Sequence, residues 1–519
     1  PEPLAADEVP ALVGLVRRLD GLPLALELAA GHARLLRVPE ILRRHGEGSL
    51  ELEPVRASVA ASYRMLTPPE RRALRRLAAF RNRWSVELAE QMLDGADPLR
   101  LLDRLVSLGL VGVRGARERR FRLLDVVRDF ATERAEQRGE LTQTRRAHAA
   151  VMARLAARTA PSSGVANASA LATLDDLASD VWAALTHAAN DDPHTALRLA
   201  AALPAWWRLR GREAVGHRWL RRLLDDPRTA DAEPTLRAWA VLGAADLGGD
   251  PADVPAVEQA LTDLQLAGDV AGEVTGRMVL RRLWRARGGH AQARAQAEAA
   301  ATVAARAGRW RDAAAAELHL AGDEARAGDL DAARRRPAAA DRLAAQGGDR
   351  WLRLAAGVGL AEVARLAGRY EEALATGQRV LVRLSGRDDA VLRLRALGTV
   401  GRALAALGRV EDGERALASL RAGRAAGAAV DGWCAAVEAW LALARGDRSA
   451  AAERFAAAAT AFQARAEPRD LVESLAGLAG CTVASGPRGR VLARLEQVTH
   501  EAGVALLPQD LALRDGRWR

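Results

Sequence analysis

The chain contains no lysine: all 76 of its basic residues are arginine, against 66 acidic ones in 519 residues. A genome rich in G and C accounts for that bias, but the absence also has a chemical consequence. A nucleotide-binding Gly-x-x-x-x-Gly-Lys-Ser/Thr loop neutralises phosphates with its lysine, so no complete loop of that kind exists here. Cysteine is nearly as scarce. Cys434 and Cys481 stand alone, which excludes a disulfide framework and a thiolate zinc site. The nine histidines form no His-Glu-x-x-His and no pair one helical turn apart, so zinc hydrolysis lacks a ligand set. No Gly-x-Ser-x-Gly elbow occurs, and Gly357-Val-Gly359 lacks the third glycine and flanking strand of a dinucleotide fingerprint. No apolar run reaches membrane-spanning length, and no basic-then-apolar leader opens the chain. These absences lead us to expect a non-enzymatic protein without a metal site, in a reduced, cytoplasmic compartment. Pro1 stands where a start methionine would, the pattern of a fragment or processed product.

Aromatic residues make up only 4% of the chain, and β-branched runs are short, while Ala, Leu and Arg dominate. That composition predicts a mainly α protein, and the length predicts two or three domains. The clearest order within it is a repeat. Gly211, Gly249, Gly288, Gly328, Gly368, Gly408, Gly446 and Gly486 follow one another at 38 to 40 residues, with helix-forming sequence on both sides. Five residues after each comes a small or apolar one: Gly216, Val254, Ala293, Ala333, Ala373, Gly413, Ala451 and Val491. A left-handed glycine ends one helix and reverses the chain, and the small residue lets the next helix approach closely. Single hairpins cannot bury their own apolar faces, so the pattern predicts a stacked α-solenoid over 193–519. These marks resemble the tetratricopeptide repeat, with a longer period. Trp206, Trp207 and Trp219 are read as packing residues of the first repeat.

The first 192 residues read differently. Asp7 to Leu28 forms a helix, a break at Asp20-Gly21 and a second helix opened by Pro23. Helices follow over Val55–Leu66, from Thr67-Pro68 to about Phe80, from Ser85, and from Asp97-Pro98 to about Leu108. Strands at Leu110–Val113 and Phe121–Leu124 flank an arginine-rich turn, and Asp125 opens a helix through Arg138. A helix is expected from Arg145 to about Ala157, a linker over 160–168, and one helix over Leu171–Ala189. Helices followed by a β-hairpin are in winged-helix order. The predicted domains are a helical subdomain (1–50), a winged helix (51–140), a helical linker region (141–192) and the solenoid. A polar tail from Arg514 to Arg519 closes the chain without evident structure.

Arg18-Leu-Asp-Gly-Leu-Pro-Leu-Ala-Leu-Glu-Leu-Ala-Ala30 closely resembles the Gly-Leu-Pro-Leu-Ala box of NB-ARC and related signal-transducing (STAND) ATPases. Ala61-Ser-Tyr-Arg-Met-Leu-Thr-Pro68, Arg104-Leu-Val-Ser-Leu-Gly-Leu-Val111 and Phe121-Arg-Leu-Leu-Asp-Val-Val-Arg-Asp-Phe-Ala131 are similar to the winged helix that follows that box in bacterial STAND regulators. The resemblance covers residues 10–190 by motif and the remainder by period. It implies that Leu22, Pro23 and Asp125 lie near ATP or ADP bound to an upstream ATPase domain. The family's Met-His-Asp triplet falls on Leu123-Leu124-Asp125. Leu124 has no donor for a phosphate, and Asp125 has an independent reason to open a helix, as a cap.

The resemblance implies the sensor and regulatory part of a transcriptional activator similar to the SARP and LuxR types. Its solenoid would take a protein partner or small inducer and bias a nucleotide switch whose P-loop lies outside this chain. Two other readings stay open: a stand-alone repeat scaffold, and a DNA-binding winged-helix protein with a repeat sensor. The net charge of +10 (76 − 66) is diffuse. Pro98–Arg122 nevertheless carries seven arginines against two acids, so Arg100, Arg104, Arg117, Arg119 and Arg120 are the candidate DNA contacts. That helix is leucine-rich and poor in base-reading Asn or Gln, and the expectation is that this chain does not itself engage DNA.

Overall fold

The structure, a computed structural model, describes residues 8–18, 30, 36–46, 53–93, 97–115, 119–159, 168–384, 390–423 and 429–517. Two compact units divide it: the described residues up to Gly248, and those from Gly249 onward. The first hairpin of the expected solenoid, with its tryptophans, therefore belongs to the first unit.

The first unit runs α1 (Val9–Arg18), α2 (Val38–Gly46), α3 (Glu53–Arg64), α4 (Pro68–Leu77), α5 (Val86–Met92) and α6 (Pro98–Ser107). Strands β1 (Val111–Arg114) and β2 (Arg120–Leu123) follow, then α7 (Asp125–Gln137), α8 (Leu141–Thr159), α9 (Ala168–Asp176) and α10 (Ala178–Asp191). It ends with α11 (Pro193–Ala201), α12 (Pro204–Leu209), α13 (Glu213–Leu224) and α14 (Pro234–Gly248). The predicted starts have a visible cause: the Glu70 carboxylate accepts the Thr67 N–H at 2.7 Å, and Asp97 accepts the Arg100 N–H at 3.2 Å. β1 and β2 pair antiparallel with Val111 opposite Leu123 and Arg114 opposite Arg120. Trp84 exchanges two 2.9 Å backbone hydrogen bonds with Phe121, which extends the hairpin by a short third edge. Val111, Phe121 and Leu123 point inward, and Trp84 stacks on Phe80 with ring centroids 5.0 Å apart. One continuous core joins these residues to Trp206 and Trp207, which are packing residues as expected.

Two expectations need correcting here. Asp125 is the first helical residue and Leu124 is the cap; Asp125 instead ion-pairs with Arg128 one turn on. The single helix expected over Leu171–Ala189 breaks at Leu177 into α9 and α10. The break places Asp180 in the first turn of α10, fully buried. Its carboxylate there accepts the Arg81 and Asn82 N–H groups at 2.7 and 3.0 Å and faces His148 Nε2 at 3.2 Å.

The second unit is a helical array: α15 (Val254–Leu266), α16 (Val270–Ala286), α17 (His290–Arg306), α18 (Trp310–Ala327), α19 (Leu330–Gln346), α20 (Arg350–Leu366) and α21 (Tyr370–Leu384). It continues with α22 (Ala390–Ala406), α23 (Val410–Ala422), α24 (Ala429–Ala444), α25 (Arg448–Ala464), α26 (Pro468–Cys481), α27 (Ser485–Ala502) and α28 (Pro508–Arg514). Seven of the eight repeat glycines, Gly211 to Gly446, have positive φ, as a reversing turn requires. Gly486 does not: it lies in the first turn of α27, because the chain leaves α26 in extended conformation at Thr482 and needs no left-handed residue. Gly216 and Gly413 show why the position five residues on is small. A Cβ there would sit 2.3 Å from the Trp207 ring or 2.7 Å from Leu441. Of the tail expected to lack structure, Arg514 is the last residue of α28, 515–517 form no helix or strand, and 518–519 lie outside the described residues. Just before it, Leu507 is buried among Ala325, Ala333, Val363 and Leu366, and α28 packs on α26 so closely that a Cβ on Gly480 would lie 1.8 Å from the Leu513 carbonyl.

Candidate ligand site on the inner face of the array

First helices of neighbouring hairpins touch one another (α18 with α20, α20 with α22, α22 with α24), and among the described residues the second helices do so less. The first helices therefore line the tighter, inner side of the curve. Side chains confirm it across a long span. Arg365 of α20 reaches Glu473 of α26, three hairpins on, at 2.8 Å.

That contact belongs to a closed charge network. The fully buried Arg365 also holds Glu362 at 2.7 Å, and Arg402 of α22 meets Asp470 at 2.7 Å and Glu473 at 3.5 Å. Trp440 Nε1–H donates to Glu473 at 2.9 Å, and the Gln509 amide donates to it at 3.3 Å. Burial opposes the charge on Arg365, but Glu362 and Glu473 outweigh it and hold the guanidinium well above its usual range. The same burial would raise Glu362 and Glu473, yet Arg365 and Arg402 keep both below the usual carboxylate range. Each of these guanidinium and carboxylate groups has a partner on another helix, and the network's role is to lock distant helices together.

The half formed by α16 and α18 is different. Their backbones approach less closely than those of α18 and α20, and side chains span the gap. Arg281 grips Asp323 with two hydrogen bonds of 2.7 and 2.8 Å; Arg326 lies 3.2 Å and Arg285 3.7 Å from the same carboxylate. Arg282 and His319 adjoin them. Burial lowers Arg326 to about 10, with Arg285 adding repulsion, and burial lowers Arg285 as well, with Arg281 opposing its charge. His319 keeps solvent access but is recessed, and that recess, then Arg281, pushes its imidazole down to about 4. Gly322 sits among them in mid-helix, exposed, with no heavy atom within 4 Å of where a Cβ would stand. The result is an open recess lined by guanidinium groups, suited to holding an anion by charge-assisted hydrogen bonds.

None of these residues stood out in the sequence, because arginine is everywhere in it. A signal did exist: Arg285, Arg326 and Arg365 follow at 41 and 39 residues, two or three positions before successive turn glycines. The residues that the sequence did single out lie in the first unit or outside the described residues. Leu22, Pro23 and Arg117 fall outside. Arg100 and Arg104 are exposed one turn apart on α6, Arg119 is exposed beside β2, and Arg120 is half-buried within electrostatic reach of Glu87. Among the described residues no cluster of three or more His, Cys, Asp or Glu side chains could hold a metal, and no helix is long and apolar enough to cross a membrane.

No model of a known protein family matches the chain. It is related to bacterial proteins assigned as HTH-type transcriptional regulators. Those of Mycobacterium tuberculosis and Mycobacterium bovis are 31% identical over 240 residues, which covers 42% of this chain and 27% of theirs. An uncharacterised Mycobacterium tuberculosis protein is 32% identical over 153 residues, covering 26% of this chain and 39% of that one. The matched region thus spans about a quarter of the length of the regulators. Among solved structures, a STAND protein with a tetratricopeptide repeat sensor from Pyrococcus horikoshii aligns with a TM-score of 0.49 and 13% identity, over 85% of this chain and 71% of that one. A Rap protein complexed with competence and sporulation factor aligns with a TM-score of 0.48 and 11% identity, over 70% of this chain and 99% of that one.

Proposed function

We propose that this chain is the sensory and regulatory part of a STAND-type transcriptional regulator, cytoplasmic and without a reaction of its own. The inner face of the helical array receives a small inducer or a protein segment. Occupancy biases how the winged-helix and Gly-Leu-Pro-Leu-Ala segments engage an ATPase domain that holds ATP or ADP, near Leu22, Pro23 and Asp125. A ligand acts this way only if it binds one of two states better than the other. The kinship with HTH-type regulators supports the regulatory role. The single observation that carries the sensing role is the open recess at Gly322, set among arginines that outnumber the one carboxylate they share.

A chromosomal Gly322→Glu allele tests this reading. The added side chain has room, so the fold persists while the recess is filled and made acidic. The expected transcript profile is that of a strain lacking the gene; a wild-type profile at normal protein level refutes it. The DNA-binding reading rests on exposed Arg100, Arg104 and Arg119. It requires salt-dependent duplex binding that disappears when these become alanine.

A further inference from the structure

We propose that the recess between α16 and α18 binds the phosphate group of a small molecule. The proposal rests on the inner-face sensing reading and supplies the chemistry of its ligand. Arg281, Arg285 and Arg326 share the one carboxylate of Asp323, an excess of two positive charges (3 − 1). Elsewhere on the same face the excess has the opposite sign: Arg365 and Arg402 meet three carboxylates, Glu362, Asp470 and Glu473. Nearby acids do not make up the difference. Glu324, next in sequence to Asp323, is taken by Arg336 at 2.8 Å and Arg294 at 3.3 Å.

Other features point to an occupant. Arg326 Nε is buried with no hydrogen-bond partner, as are Nε of Arg128, Arg369, Arg469 and Arg488, but at Arg326 the unused donor stands beside the excess charge at Asp323. Gly322 leaves open space beside it. The site's two histidines, His319 and His290, are both lowered by burial and by neighbouring arginines, so near neutral pH they serve as neutral hydrogen-bonding groups. A phosphate monoester carries about two negative charges at pH 7 and so matches the excess, where a carboxylate would leave one charge uncompensated. Guanidinium forks present paired donors to its oxygens. The surroundings favour a small ligand over a folded partner: the Ala505 N–H is bonded to the Arg326 carbonyl at 2.8 Å, and His290 lies against Gly503, so the C-terminal segment walls one side.

The test is isothermal titration calorimetry on the full 519-residue chain, with pyrophosphate in phosphate-free buffer at constant ionic strength and citrate as the carboxylate arm. Saturable binding of pyrophosphate, weakened at least about tenfold in Arg285→Gln/Arg326→Gln, supports the site. The double variant is also expected to melt no lower than wild type without ligand, since it removes mutual repulsion. No saturation, unchanged affinity in the variant, equal binding of citrate, or a variant that melts well below wild type would each overturn the proposal. The Gly322→Glu strain separates this claim from the sensing claim. Pyrophosphate binding with an unaltered transcript profile in that strain leaves the site standing and removes the sensor role. A lost response without anion binding does the reverse.

Discussion

Glu473 is the residue on which the closure of the array depends most, and Glu473→Ala is the perturbation to make. Its carboxylate receives Arg365 at 2.8 Å, Arg402 at 3.5 Å, Trp440 Nε1–H at 2.9 Å and the Gln509 amide at 3.3 Å. Truncation leaves a fully buried Arg365 with Glu362 alone. Removing one partner of a buried ion pair costs about 3–5 kcal/mol, because the other charge stays desolvated. The location of the loss matters as much as its size. A solenoid is held by nearest-neighbour interfaces, whereas Glu473 ties α26 to helices of three preceding hairpins. Amide hydrogen exchange followed by mass spectrometry reads both. A loss of about 4 kcal/mol makes exchange roughly a thousandfold faster where opening of the array controls it. The acceleration is expected in Arg350–Leu366 and Ala390–Ala406 as well as Pro468–Cys481. Glu473→Gln keeps the shape and one acceptor and should lose less, about 1.5–3 kcal/mol. Acceleration confined to Pro468–Cys481, or below about tenfold, would refute the idea that this network fastens distant hairpins.

Three further outcomes follow from the same geometry. Gly322→Ala adds a methyl group in open space in mid-helix and should stabilise the chain by about 0.5–1 kcal/mol in thermal or urea unfolding; a loss of stability would mean the space is not open. Ala466 takes φ 53° at a helix end, so Ala466→Gly should stabilise by about 0.5–1 kcal/mol despite the greater freedom of glycine when unfolded, and a destabilised variant would contradict that strain. Glu362 and Glu473 are depressed, so the stability they add is complete above about pH 5, their unfolded range, and is lost as pH falls through their folded values. Asp510 is raised by burial and works in the opposite sense, its penalty easing on acidification. The two depressed groups outnumber it, so the melting temperature should fall below about pH 4; a flat profile from pH 6 to pH 3 would count against the network.

Much of the helical array was legible because its turns need a residue that tolerates positive φ. Glycine marks them at Gly211 through Gly446, and Gly268, Gly308 and Gly348 mark the intervening turns in the same way, at half the period. Where the chain used other means, the pattern misled: Gly486 starts a helix, and Ala466 reverses the chain without glycine. The hairpin β1–β2 was legible as two short segments flanking an arginine-rich turn, and the caps at Thr67 and Asp97 from their side-chain chemistry. The break at Leu177 was not, since it answers to a loop at Arg81–Asn82 almost a hundred residues away. The inner-face recess was hidden for a related reason. Arg281, Arg285, Asp323 and Arg326 are ordinary helix-surface residues until stacking brings α16 beside α18, and a lysine-free, arginine-rich sequence offers no contrast against which to notice them.

The most direct test of inner-face sensing is hydrogen exchange of the chain with and without the small-molecule fraction of its own cells' extract. The account predicts new protection in Val270–Ala286 and Trp310–Ala327, the helices that line the recess, and its loss in Gly322→Glu. Protection that falls instead on the outer helix Leu330–Gln346 and on 296–306, away from His290, or that survives Gly322→Glu, would contradict it.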